Sequence, residues 1–145
     1  MNVHGDTTSD PIPLSMVLFS GTDDKLTAAS VLAVGAASLE RPVHIFLQYW
    51  ALDAFRADRI GKDHGVAPEA GPEGAVLMNR FTERGGQHWS EILRQVKEIG
   101  EVRITACSLS MDVLGITRDD LDPLVDGVEG VAGFTGDATG QLVFI

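Results

Sequence analysis

The stretch Met16–Leu52, MVLFSGTDDKLTAASVLAVGAASLERPVHIFLQYWAL, reads as a strand, a helix and a second strand in succession. Met16–Ser20 is an apolar run with the length of a buried strand. Gly21-Thr22-Asp23-Asp24 is a loop holding helix-start residues. Lys25–Glu40 is rich in Ala, Leu and Val on nearly every face, the pattern of a helix buried on more than one side. Arg41-Pro42 stops it. Val43–Leu52 is β-branched and aromatic, and reads as the second strand.

Outward from that unit the alternation continues. Residues 53–87 are rich in glycine and proline and read as a long mobile insertion, with a short helix over Ala75–Phe81. His88–Ile99 is an amphipathic helix carrying Trp89, Ile92, Leu93, Val96 and Ile99. Val102–Cys107 is the third strand, and Ser108–Gly115 is a loop or short helix. Thr117-x-x-Asp120 has the form of a capping box opening a brief helix over Arg118–Val125. Asp119, Asp120 and Asp122 read as its solvated acidic start. Gly130–Phe134 reads as a fourth, weaker strand, Asp137–Thr139 as a helical turn, and Gln141–Ile145 as the last strand. Near-continuous apolar strands alternating with helices predict a three-layer α/β/α sandwich with a mostly parallel five-stranded sheet. Residues 1–13 read as a flexible tail and residues 14–145 as one domain.

The composition narrows the function. The chain has 145 residues, a net charge of −10, 44% apolar residues and 22% charged ones. Eleven basic against twenty-one acidic side chains exclude a phosphate-neutralising face, and with it nucleic acid and anionic membranes as partners. No apolar run approaches the roughly 18 residues of a membrane span. The polar start lacks a secretory pattern, so a cytoplasmic location is expected. The single cysteine, Cys107, excludes an internal disulfide and a cysteine-rich zinc site, and no metal-ligand set or cofactor is assigned. No phosphate-loop or dinucleotide-binding glycine string is present.

Ligands of open parallel sheets sit beyond the carboxyl ends of the strands. Ser20–Lys25, Gln48–Asp53 and Cys107–Asp112 fall there. Cys107 is therefore the candidate nucleophilic or sulfur-carrying thiol, against the alternative of a small buried apolar residue. A helix starting at Ser108 would aim N–H groups at the sulfur. His64 and His88, in or beside the insertion, are candidates to assist it; His44 reads as structural and His4 as inert. Thr22 or Asp23 reads as a helix cap, with Asp24 and Lys25 solvated. Arg103, Thr105 and Cys107 share one strand face, with Arg103 at the rim.

The string Ile104–Ile116, ITACSLSMDVLGI, resembles the cysteine segment of the DsrE/DsrF-like sulfur-relay proteins, in the branch termed peroxiredoxin-like. Phe46–Leu52 (FLQYWAL) and the ending Gly127–Ile145 are similar to further blocks of that branch. The resemblance implies a homo-oligomer (trimer, tetramer or hexamer) in cytoplasmic sulfur trafficking. It implies that Cys107 carries sulfane sulfur or a thiosulfonate and exchanges it with carriers of the TusA or rhodanese type. Ser108, Leu109, Ser110 and Met111 then surround the anion, with Gly21 and Trp50 from the earlier loops. A second cysteine found in some members is absent here, and the branch name implies no peroxidase activity. Two other classes remain open: a non-catalytic oligomeric scaffold with Cys107 as packing, and a small-ligand-binding α/β domain.

Overall fold

The computed structural model describes residues 10–145. The flexible-tail expectation for residues 1–9, and His4 with it, lie outside the described residues. Five parallel strands form one sheet: β1 (Leu14–Leu18), β2 (Val43–Leu47), β3 (Val102–Cys107), β4 (Gly127–Glu129) and β5 (Gln141–Phe144), in the order β4-β3-β2-β1-β5. The α/β/α architecture expected from the alternation is present. Helices α1 (Asp23–Ser38) and α4 (Trp89–Ile99) pack together on one face, joined by α2 (Tyr49–Ala54) and α5 (Ser108–Leu114). Helix α3 (Glu73–Glu83) lies within the glycine-rich segment, spanning the helix expected over Ala75–Phe81. Helix α6 (Val131–Asp137) makes the return from β4 at one edge to β5 at the other. Right-handed crossovers in opposite directions put α6 on the opposite face from α1.

The strand pleat divides the core accordingly. Met16, Leu18, Ile45, Leu47, Ile104 and Ala106 face the large cluster that holds the buried side of α1 and α4. Phe46 and Cys107 face the other way and form a second, small cluster with Phe134 of α6. One face is thickly covered and the other thinly. At the thin face's edge, Leu142 and Phe144 remain exposed.

Three local expectations are corrected. The second strand ends at Leu47, not Leu52: Tyr49 takes a positive φ of 39°, and the chain turns into α2 with Ala51, Leu52 and Ala54 buried. Phe46–Leu52 is apolar or aromatic except for Gln48, so no period marks the turn. Gly130–Phe134 is not a strand but the start of α6, and the fourth strand is Gly127–Glu129. The alternating small and apolar residues GVEGVAGF fit either period. Asp122 is not solvated. It is 8% exposed and accepts both guanidinium branches of Arg94, at 3.0 and 3.2 Å. Helix α1 buries Ala29, Ala33, Ala36 and Ala37 and leaves Val31 and Leu32 half-exposed, so one side of it is free. Among the described residues, no helix is long and apolar enough to cross a membrane.

Candidate functional site

The loops after β1 and β2 meet. Ser20, Gly21, Thr22 and Lys25 line a cleft of about 470 Å³ with Trp50, Asp53, Arg59, His64 and Glu69. Gly21 is there because backbone must pass backbone: a Cβ on it would lie 2.3 Å from the Trp50 carbonyl oxygen and 2.8 Å from its carbon. Gly21→Ala is expected to cost about 1–3 kcal/mol by forcing the two loops apart, read as a lowered thermal midpoint. An unchanged midpoint would contradict the close approach. The cleft's cations are already paired. Lys25 lies 2.7 Å from Glu69, and Arg59 lies 3.1 Å from Asp53. The cleft therefore offers no surplus positive charge to an anionic ligand.

The acidic pair at the start of α1 does not cap it. Thr22 makes no side-chain cap bond. Asp23 instead accepts from the Trp89 indole N–H at 2.8 Å and from the His64 backbone N–H at 2.9 Å, while Asp24 accepts from the Ala67 N–H. These bonds hold residues 64–67 onto the end of α1. Asp63 lies beside them; the Gly65 N–H, then Asp23 and the two histidines, keep its carboxyl below the ordinary range.

Cys107 lies elsewhere. It ends β3, precedes α5 directly and is 1% exposed. Its neighbours are Phe46 and Phe134, whose rings stack 4.5 Å apart at 8°. Helix α6 is its cover, and Phe134 is the one buried side chain of that helix. Of the residues expected around the sulfur, Ser108 and Leu109 are exposed, Met111 belongs to the large core, and Ser110 is fully buried. Among the described residues the Ser110 hydroxyl has no hydrogen-bond partner, an unusual state for a buried polar group. Gly21 and Trp50 line the cleft after β1 and β2, whose lining does not include Cys107. His64 and His88 gather at Asp23, among the rings of Trp89, rather than in the Cys107 cluster.

One residue near Cys107, Glu129, escaped the sequence reading, as did its joining of His44 and Thr105. Glu129 sits beside Cys107 in the β3–β4 register. Its carboxylate accepts from the Thr105 hydroxyl at 2.6 Å and lies 2.8 Å from His44 Nε2. His44 in turn meets the edge of Phe134 at 4.9 Å. This polar group lies beneath α6 on the sulfur's side of the sheet. Thr105 and Cys107 do share a face, and Arg103 is at the exposed rim, as the pleat predicts. The signal for Glu129 would have been the alternation of β4, but three residues are too few to carry a period.

The comparisons agree with this architecture. The model of the DsrE/DsrF/DrsH-like family matches residues 13–69. Over that stretch the chain is similar to this family. The matched residues carry β1, α1, β2 and the loops of the first cleft, and stop before Cys107. The uncharacterized protein YrkE of Bacillus subtilis (strain 168) is 28% identical to this chain over 147 residues, covering 86% of this chain and 89% of that one. Two solved structures share the fold: the protein of unknown function MTH1491 from Methanobacterium thermoautotrophicum and the ychN protein from E. coli. Each matches with a TM-score of 0.58 and 14% identity, over 92% of this chain and 99% of the other.

Proposed function

We propose that the protein carries sulfur on Cys107, as a persulfide or thiosulfonate, and hands it to the thiol of a partner protein. The observation that carries the reading is the placement of the chain's single thiol at the carboxyl end of β3, with the buried hydroxyl of Ser110, without a partner among the described residues, on the helix that follows. Parallel sheets present ligands at that end. In the loading step, the Cys107 thiolate attacks the outer sulfur of a donor persulfide. The new S–S bond forms as the donor's S–S bond breaks, and the donor leaves as thiolate. With tetrathionate, thiosulfate leaves and a thiosulfonate stays on Cys107. An acceptor thiolate reverses the loading step and takes the sulfur.

Loading requires access to a thiol that α6 covers. Helix α6 is seven residues long, holds Gly133 and Gly136, and is anchored by Phe134. Such a helix has weak intrinsic stability, since glycine disfavours helix and the chain is below the length that sustains one alone. Its local opening exposes Cys107 at a cost well below global unfolding. Exposed Trp50 on α2 and Leu109 and Val113 on the adjoining α5 supply apolar surface for self-association or for docking a TusA-type or rhodanese-type carrier. The acidic charge favours a carrier with a basic or less acidic face.

The burial of Cys107 favours one other reading, an oligomeric scaffold in which the sulfur is packing. A bulky thiol reagent separates them. For a carrier, Cys107 labels in native protein at a rate far above that of global unfolding. Labelling that appears only with global unfolding would establish the scaffold.

A further inference from the structure

We propose that Asp23, His64 and His88 form a binding site for one divalent transition-metal ion of the zinc class. One ligand atom from each lies within 4.8 Å of the other two. They come from the start of α1, the segment after α2 and the N-cap of α4. Both imidazole Nε2 atoms are buried and have no hydrogen-bond partner among the described residues. Buried ring nitrogens are normally satisfied, so two orphans in one cluster with a carboxylate leave a place for an occupant. The His88 Nε2 to Asp23 Oδ1 distance is 3.7 Å, too long for a hydrogen bond. It is close to the roughly 3.4 Å edge of a tetrahedron with metal–ligand bonds of about 2.0–2.1 Å. From the 4.8 Å bound, a contraction of at most about 1.4 Å brings the most distant pair to that edge.

The surroundings already orient two of the three ligands, Asp23 and His88. Asp23 Oδ1 accepts from the Trp89 indole and Oδ2 from the His64 N–H, and each oxygen keeps a lone pair. His88 Nδ1 lies 2.8 Å from the Ser90 hydroxyl. With Nδ1–H donating there, the lone pair of Nε2 is free for a metal; the weaker contact from the Ser90 N–H, at 3.2 Å, is then given up. Two imidazoles and one carboxylate suit zinc, cobalt(II) or iron(II), and leave a coordination position open. Asp23 and His88 line a cleft of about 460 Å³ closed by α3, with Asp63, Met78, Asn79 and Phe81. His64 lines the first cleft, so an exogenous ligand can reach the ion from either. The site is independent of Cys107 and of the sulfur-carrier reading.

The test uses the full chain after chelator treatment. Cobalt(II) is followed by its visible absorption and zinc by calorimetry, for wild type, Asp23→Asn, and the double variant His64→Gln/His88→Asn. Asparagine keeps a capping oxygen at the start of α4, and circular dichroism checks each fold. The expected result is one ion per chain, the strong visible bands of four- or five-coordinate cobalt, and a thermal midpoint raised by zinc. Asp23→Asn should weaken zinc binding by at least about tenfold, and the double variant should abolish it. Absence of binding by wild type, or binding unchanged in the folded double variant, would overturn the assignment.

Discussion

Phe134→Ala is expected to destabilise the protein by about 3–5 kcal/mol and to raise the rate at which native Cys107 reacts with a thiol reagent. Both effects follow from one contact. The ring is 3% exposed, stacks on Phe46 and is met edge-on by His44. Nothing else in α6 is buried, so removing the ring leaves a seven-residue helix without an anchor and leaves the sulfur without a cover. Loss of stability alone would raise labelling through global unfolding. Leu93→Ala is the control, because Leu93 is equally buried but lies in the large cluster on the other face. At matched stability, the Phe134 variant should label faster than the Leu93 variant. Equal labelling would show that α6 does not gate the thiol.

Asp122→Ala is expected to cost about 2–3 kcal/mol, seen as a lowered denaturation midpoint. The carboxylate is buried, takes the Arg94 fork and also accepts from the Leu124 N–H at 2.9 Å. Its own N–H donates to the Phe55 carbonyl. It therefore ties α4, the end of α2 and the approach to β4 together. Breaking a fully buried pair costs about 3–5 kcal/mol by stranding a charge. Arg94 is partly exposed and has Glu91 at 3.4 Å, so water and that neighbour reduce the penalty. Asp122→Asn should retain part of the stability by keeping one acceptor oxygen. A loss below about 0.5 kcal/mol would mean the pair behaves as a surface one.

β1, β2, β3 and β5 were legible because buried parallel strands are short apolar runs that carry their own signal, whereas β4 has only three residues. Val102–Cys107 and the helix after residue 88 fall where the periodicity puts them. The errors share a cause: Leu47–Leu52 and Gly130–Phe134 are too short or too uniformly apolar to separate a period of 2 from one of 3.6. The position of Cys107 at a strand end was readable, but its cover was not. Phe134 approaches it from 27 residues further along the chain, and only the crossover from β4 to β5 brings α6 over that face. The same applies to the cluster at Asp23. Nothing local in the sequence says that His64 and His88 meet the first turn of α1; the indole of Trp89 and the Asp24 bond to Ala67 bring them there. Asp122 was misread because its partner Arg94 lies on another element.

The central claim is that Cys107 takes up sulfur in the folded protein. Intact-protein mass spectrometry after incubation with polysulfide, and separately with tetrathionate, tests it on wild type and Cys107→Ser. The account predicts adducts of about +32 and about +112 Da on folded wild type, removed by reductant and absent from the variant. Wild-type protein that stays folded and gains no mass would contradict it and leave Cys107 as packing beneath α6.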